Sequence, residues 1–121
     1  MFEESEVTKR MAEITTRFPG ERQALRDAYS VFAKREAKVL LAITFSEPDL
    51  LYKQEAKDYI TKAKENGVKL TVGDKEAILA LELETEKVAY DLAKFDCDTS
   101  DKDYSKLEAQ LSFIQSQMKL R

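Results

Sequence analysis

Residues 78–95, ILALELETEKVAYDLAKF, decide the fold class. Ile78, Leu81, Thr85, Val88, Leu92 and Phe95 follow one another in steps of three and four. Such steps keep side chains on one stripe of an α-helix, which turns once every ~3.6 residues. A stripe of that kind must be buried against other helices. The pattern resumes in a shifted phase at Tyr104, Leu107, Leu111, Ile114 and Met118. Between the two runs stand Asp96, Asp98, Thr99, Ser100, Asp101 and Asp103, acidic and polar. The slip of phase suits either a loop ahead of a fifth helix or the exposed middle of one long helix; a break or kink is the favoured expectation, with residues 104–119 helical again.

Toward the N-terminus, Thr71 with Asp74 three residues on forms a variant capping box, so the helix should begin near Val72. Asn66–Gly67 supplies a left-handed stop for the preceding helix. That helix is predicted from about Glu47, with Ser46 as N-cap and Pro48 in its first turn, and carries Leu51 or Tyr52, Ala56, Tyr59, Ile60 and Ala63. A helix over residues 21–45 uses Leu25, Tyr29 beside Ala28, Phe32, Glu36, Leu40 beside Val39, and Ile43. Pro19 and Gly20 predict a break before it, because proline lacks the N–H and glycine relaxes the backbone. A first helix, about residues 3–17, shows Val7, Met11, Ile14 and Phe18 at helical spacing. The expectation is all-α: an antiparallel helical bundle or long helical hairpin of four to five amphipathic helices. Residues 1–121 read as a single helical domain, with residues 1–18 a loosely attached N-terminal helix.

Composition agrees with this. The 121 residues are 43% hydrophobic and 36% charged, with three Gly and two Pro, too few turn formers for an all-β fold. Histidine is absent, which removes the side chain best suited to proton transfer near neutral pH and the commonest zinc ligand. Serine–histidine and cysteine–histidine nucleophile pairs are therefore impossible within the chain, and no enzymatic activity is expected. The single cysteine, Cys97, points to a reducing compartment. No apolar run approaches the ~20 residues of a membrane span, so a cytoplasmic protein is expected. Net charge is −3, with residues 1–69 at +1 and residues 70–121 at −4. A mildly acidic chain is a poor sequence-independent ligand for nucleic acid, and the balance favours a protein partner.

Two surfaces could carry recognition. Asp96, Asp98, Asp101 and Asp103 form an acidic patch able to meet a basic groove. The patch also resembles the start of an EF-hand loop, but Asp101 stands where glycine is needed and Leu107 where a bidentate Glu belongs. No metal or other cofactor is therefore expected. Leu79, Leu83 and Tyr90 lie off the main stripe and suggest a second apolar face that meets a partner or a second copy of the chain. Arg22, Arg26, Lys34 and Lys38 are the basic residues that a nucleic-acid reading would use. Cys97 sits amid negative charge, which discourages the thiolate. Glu82, Glu84 and Glu86 read as helix-solubility residues with no acid–base role.

The run Arg26, Tyr29, Ala33, Lys34, Ala37, Lys38, the helix-breaking link after it, and the ending Tyr104-Ser-Lys-Leu-Glu, Leu111 and Ile114-Gln-Ser-Gln-Met-Lys also matter together. Over about residues 24–120 they resemble the small helical accessory proteins of tailed bacteriophages, of the recombination, replication or anti-defence type. The resemblance implies a helical hairpin or bundle in the cytoplasm of an infected bacterium, and no catalytic residues. The leading expectation is a protein-interaction module that inhibits a host complex such as a defence nuclease, in the manner of anti-CRISPR proteins. A nucleic-acid-binding recombination or replication accessory, and a self-assembling structural helical protein, remain open beside it.

Overall fold

The structure, a computed structural model, describes residues 3–119. It is all-α: α1 spans Glu4–Phe45, α2 Gln54–Glu65 and α3 Val72–Lys119, with a 3-10 turn at Pro48–Leu50. Among the described residues three α-helices stand where four to five were expected, because two predicted interruptions are absent. Pro19 lies inside α1, and the acidic residues 96–103 lie inside α3. The chain forms two compact units, one from Met1–Arg26 with Asp91–Arg121, the other from Asp27–Tyr90.

In the first unit, Val7, Ile14 and Leu107 form a core joined by Met11, Phe18, Tyr104, Leu111 and Ile114. Both terminal stripes expected from the sequence are in it, packed on each other, except for Met118, which is exposed. The pairing is antiparallel: the rings of Phe18 and Tyr104 lie 5.7 Å apart, and further along α1 Glu21 meets Ser100. This packing offsets the ~3 kcal/mol cost of a proline in a helix interior, since seam positions on both sides of Pro19 stay in contact.

In the second unit, Val39, Ala42, Leu51, Ala56, Ile60, Ile78 and Leu83 form the core. Here too α1 and α3 are antiparallel, Tyr29 meeting Tyr90 and Arg35 meeting Glu82. The link that carries α2 differs from expectation. Ser46 does not cap α2; it ends α1 in the left-handed conformation, φ 51°, with the Glu47 N–H donating to the Ala42 carbonyl at 2.9 Å. This is the end of a Schellman turn, which satisfies a carbonyl that the last helical turn leaves free. Helix α2 therefore starts only at Gln54, after an extended Leu51. Its own end is as expected. Gly67 is left-handed, φ 63°, and the Val68 and Gly67 N–H groups donate to the Ala63 and Lys64 carbonyls. The Thr71–Asp74 capping box also forms, each backbone N–H donating to the other's side chain at 3.2 and 3.1 Å.

The buried stripe of α3 is not the expected one beyond its first turns. Ile78 is in the core, but Val88, Leu92 and Phe95 are 53%, 59% and 65% exposed. The covered positions instead run 79, 83, 86 and 90, then 93, 97, 100, 104, 107, 111 and 114. Those steps alternate four and three without interruption, so the apparent slip of phase ahead of Tyr104 does not exist. On α1 the covered positions run 7, 11, 14, 18, 21 and 25, then 28, 32, 35, 39 and 42. Tyr29 and Leu40, expected in the stripe, are exposed.

Candidate interaction surface

Within the second unit, α1 and α3 leave an apolar groove of about 430 Å³ between Phe32, Leu79, Leu83 and Val88, with Glu36, Glu84 and Lys87 at its rim. The groove exists because α3 presents Leu79 and Leu83 to α1 while Ala80, beside them, fills little space. Two of the three expected contact residues thus line it. The third, Tyr90, is half-buried and stacks on Phe32, ring centroids 6.0 Å apart, with Tyr29 on another side at 5.9 Å. It braces Phe32, a groove wall, and Tyr29 remains exposed.

A buried ion pair supports this part of the molecule. The Arg35 guanidinium on α1 donates to the Glu82 carboxylate on α3. Glu82 also accepts the backbone N–H groups of Tyr52 and Lys53, at 2.9 and 2.7 Å. Arg35 donates a second hydrogen bond to the Leu50 carbonyl at 3.3 Å and stacks on the Tyr52 ring, 3.7 Å from its centroid. The link into α2 is thereby tied to both long helices. Burial opposes the charge on Glu82, but the Lys53 and Tyr52 N–H groups and the Arg35 guanidinium outweigh it and hold the carboxyl below the usual range. Arg35 Nε is buried without an acceptor among the described residues.

The sequence does not show this pair by its apolar pattern, in which Glu82 reads as a solubility residue and Glu36 rather than Arg35 falls in the stripe. The available signal was positional. Arg35 falls seven residues after Ala28 and seven before Ala42, on the covered positions of α1, and Glu82 directly precedes the core residue Leu83. A charge on the seam of one helix and another beside the seam of its neighbour are a prompt to pair them.

The expected acidic patch is split by its helical conformation. At ~100° per residue, Asp96 and Asp103 share one side of α3 while Asp98 and Asp101 share another. Asp96 and Asp98 are exposed. Asp101 is held by Arg22 at 3.0 Å, and Asp103 borders a polar cleft with Arg17 and Lys106. Of the basic set, Arg22 is occupied by Asp101 and by the Phe18 ring, 4.6 Å away. Arg26 donates to Gln23. Lys34 and Lys38 are exposed residues of the second unit. Among the described residues no group of three or more Cys, Asp or Glu side chains is placed to hold a metal ion, and no helix is long and apolar enough to cross a membrane.

No protein-family model, curated protein or solved structure matches the chain.

Proposed function

We propose that this protein is a non-enzymatic protein-interaction module, encoded by a tailed bacteriophage, that binds a host complex such as a defence nuclease and inhibits it. The observation that carries the reading is the apolar groove of residues 27–90. Its occupant is an amphipathic helix of the target, laying an apolar side chain against Phe32, Leu79 and Leu83 and a Lys or Arg beside Glu36. Charge complementarity supports that choice. Glu36 is half-buried at the rim and holds no ion pair among the described residues. Glu84 is held by the exposed Lys53 at 3.1 Å, a contact worth about 0–1 kcal/mol that a partner's cation can replace. Exposed Asp96 and Asp98 add anionic surface in the first unit.

The test compares wild type with Val88→Glu and Glu36→Lys, both chosen at sites that are not in the core. Each protein is used to capture targets from a bacterial lysate, and any target is then assayed with and without the protein. The reading requires one target whose capture and inhibition are both lost in Val88→Glu and weakened in Glu36→Lys. Equal capture by all three proteins overturns it. Concentration-dependent sedimentation abolished by Val88→Glu assigns the groove to a second copy instead. A DNA mobility shift abolished by Lys34→Gln with Lys38→Gln assigns the function to nucleic acid.

A further inference from the structure

A second cavity of the 27–90 unit, about 460 Å³, lies where the end of α1, the end of α2 and the start of α3 meet. Lys64, Lys69 and Lys75 line it, one from each of α2, the following link and α3. Thr44 and Ser46 bring hydroxyl groups, and Ile43 and Leu70 an apolar floor. Among the described residues no carboxylate lines the cavity, although the chain as a whole is acidic. None of the three lysines is in an ion pair among the described residues.

Helix electrostatics account for only one of these cations. Lys64 is in the last turn of α2, where a positive charge complements the helix dipole. Lys69 is on no helix, and Lys75 is the fourth residue of α3, near the end where a cation is disfavoured. Three lysines from separate elements, lining a concave, apolar-floored space with no carboxylate among its lining residues, suit one kind of ligand. We propose that this cavity binds a phosphate monoester carried on a small apolar body. The lysines hold the phosphate as point charges, Thr44 and Ser46 hydrogen-bond its oxygens, and Ile43 and Leu70 receive the apolar part. Nucleic acid fits less well, because its phosphates run along an extended surface rather than into a pocket.

The test is a titration followed by backbone amide NMR at constant ionic strength, using inorganic phosphate and phenyl phosphate as probes. Saturable shifts are expected at residues 43–46, 63–64 and 68–70, with phenyl phosphate the tighter ligand. Lys69→Gln and Lys75→Gln should each weaken it by about tenfold, and Lys34→Gln should leave it unchanged. These lysines are at the surface and the variants fold, which their own spectra verify. Vesicles containing phosphatidic acid, whose headgroup is a phosphate monoester, assign the ester to a lipid headgroup if they sediment wild type but not Lys69→Gln. Phenyl phosphate binding without vesicle binding assigns it to a free metabolite. No saturable shift with either probe, or equal affinity in the lysine variants, overturns the proposal. So does duplex DNA binding through the same lysines, tightening with DNA length, when phenyl phosphate does not bind.

Discussion

Glu82 of α3 and Arg35 of α1 form an ion pair with almost no solvent exposure, 7% for the arginine side chain and none for the glutamate. A buried pair by itself is weak evidence for stability, since apolar residues of the same volume often do as well. Here the carboxylate has a second duty, accepting the Tyr52 and Lys53 N–H groups that lead into α2. Glu82→Ala should cost about 3–5 kcal/mol, because it strands a buried guanidinium and two N–H groups. Arg35→Met with Glu82→Leu should recover only part of that, as the N–H groups still lack an acceptor. Urea denaturation of the three proteins decides it; full recovery in the double variant would mean that the contacts to the link contribute nothing.

The same carboxyl makes stability depend on pH. Its folded-state value is depressed below its ordinary 4.5, so the unfolded chain binds the proton more tightly than the folded one. The contribution is therefore complete above about pH 4.5 and is lost as pH falls through the lower folded value. Wild type should lose stability more steeply than Glu82→Gln between pH 5 and 3, intervals that bracket the ordinary carboxylate range of about 4. Parallel pH profiles would remove Glu82 as the source.

Pro19 and Gly20 are the next test, because α1 runs through both. Both are exposed, and a Cβ at Gly20 would meet no atom within 4 Å. Pro19→Ala restores an N–H donor to the helix and should raise stability by about 1–3 kcal/mol. Gly20→Ala should add about 0.5–1 kcal/mol. Thermal unfolding measures both. A loss on either substitution would show that the helix is interrupted there after all.

How much of this fold was legible in the sequence turns on a small difference between periods. The stripe Val7, Met11, Ile14, Phe18 and its partner Tyr104, Leu107, Leu111, Ile114 are apolar throughout and so are legible, although the expected stripe runs one step too far, to the exposed Met118. Legible too are the Gly67 stop and the Thr71–Asp74 box, where a single residue type dictates the backbone. Following the straight-helix period of 3.6 through the middle of α1 leads to Tyr29 beside Ala28, to Glu36, and to Leu40 beside Val39, whereas the packed positions keep to 3.5 and take Ala28, Arg35 and Val39. On α3 the expected stripe keeps the same alternation of three and four but starts at Ile78 rather than Leu79, one to two residues out of phase, and so ends at the exposed Phe95. The seam was hard to see because small and polar residues occupy it: Ala28, Arg35, Glu86, Ala93 and Ser100. For the same reason Leu79, Leu83 and Tyr90 looked like a second face, when they belong to the first. Leu79 and Leu83 line the groove all the same, since it opens at the edge of the seam.

Ser46 offers a local prediction. Its left-handed backbone, φ 51°, is one that L-residues with a Cβ adopt at a cost of about 1–2 kcal/mol. Glycine would relieve it while adding about 0.4–1 kcal/mol of unfolded-state entropy. Ser46→Gly should therefore stabilise the protein by about 0.5–1 kcal/mol, raising the urea midpoint with an unchanged slope. Destabilisation would show that the Ser46 side chain makes a contact that outweighs the strain.

Cys97 tests the seam of the first unit directly. It is buried on a covered position of α3. Burial pushes its thiol up, the Glu21, Asp101 and Asp98 carboxylates push the same way, and Arg22 opposes them. The thiolate is the reacting form, so native protein should react with a disulfide reagent at pH 7.5 about tenfold or more slowly than urea-unfolded protein. Glu21→Gln removes a raising charge and should move the reactivity profile to lower pH; Arg22→Gln should move it to higher pH. Glu21 also accepts the Ser100 hydroxyl at 2.7 Å, so Ser100→Ala serves as a control that alters packing without altering charge. A native rate equal to the unfolded one would place Cys97 at the surface and contradict the pairing of residues 18–22 with 100–104.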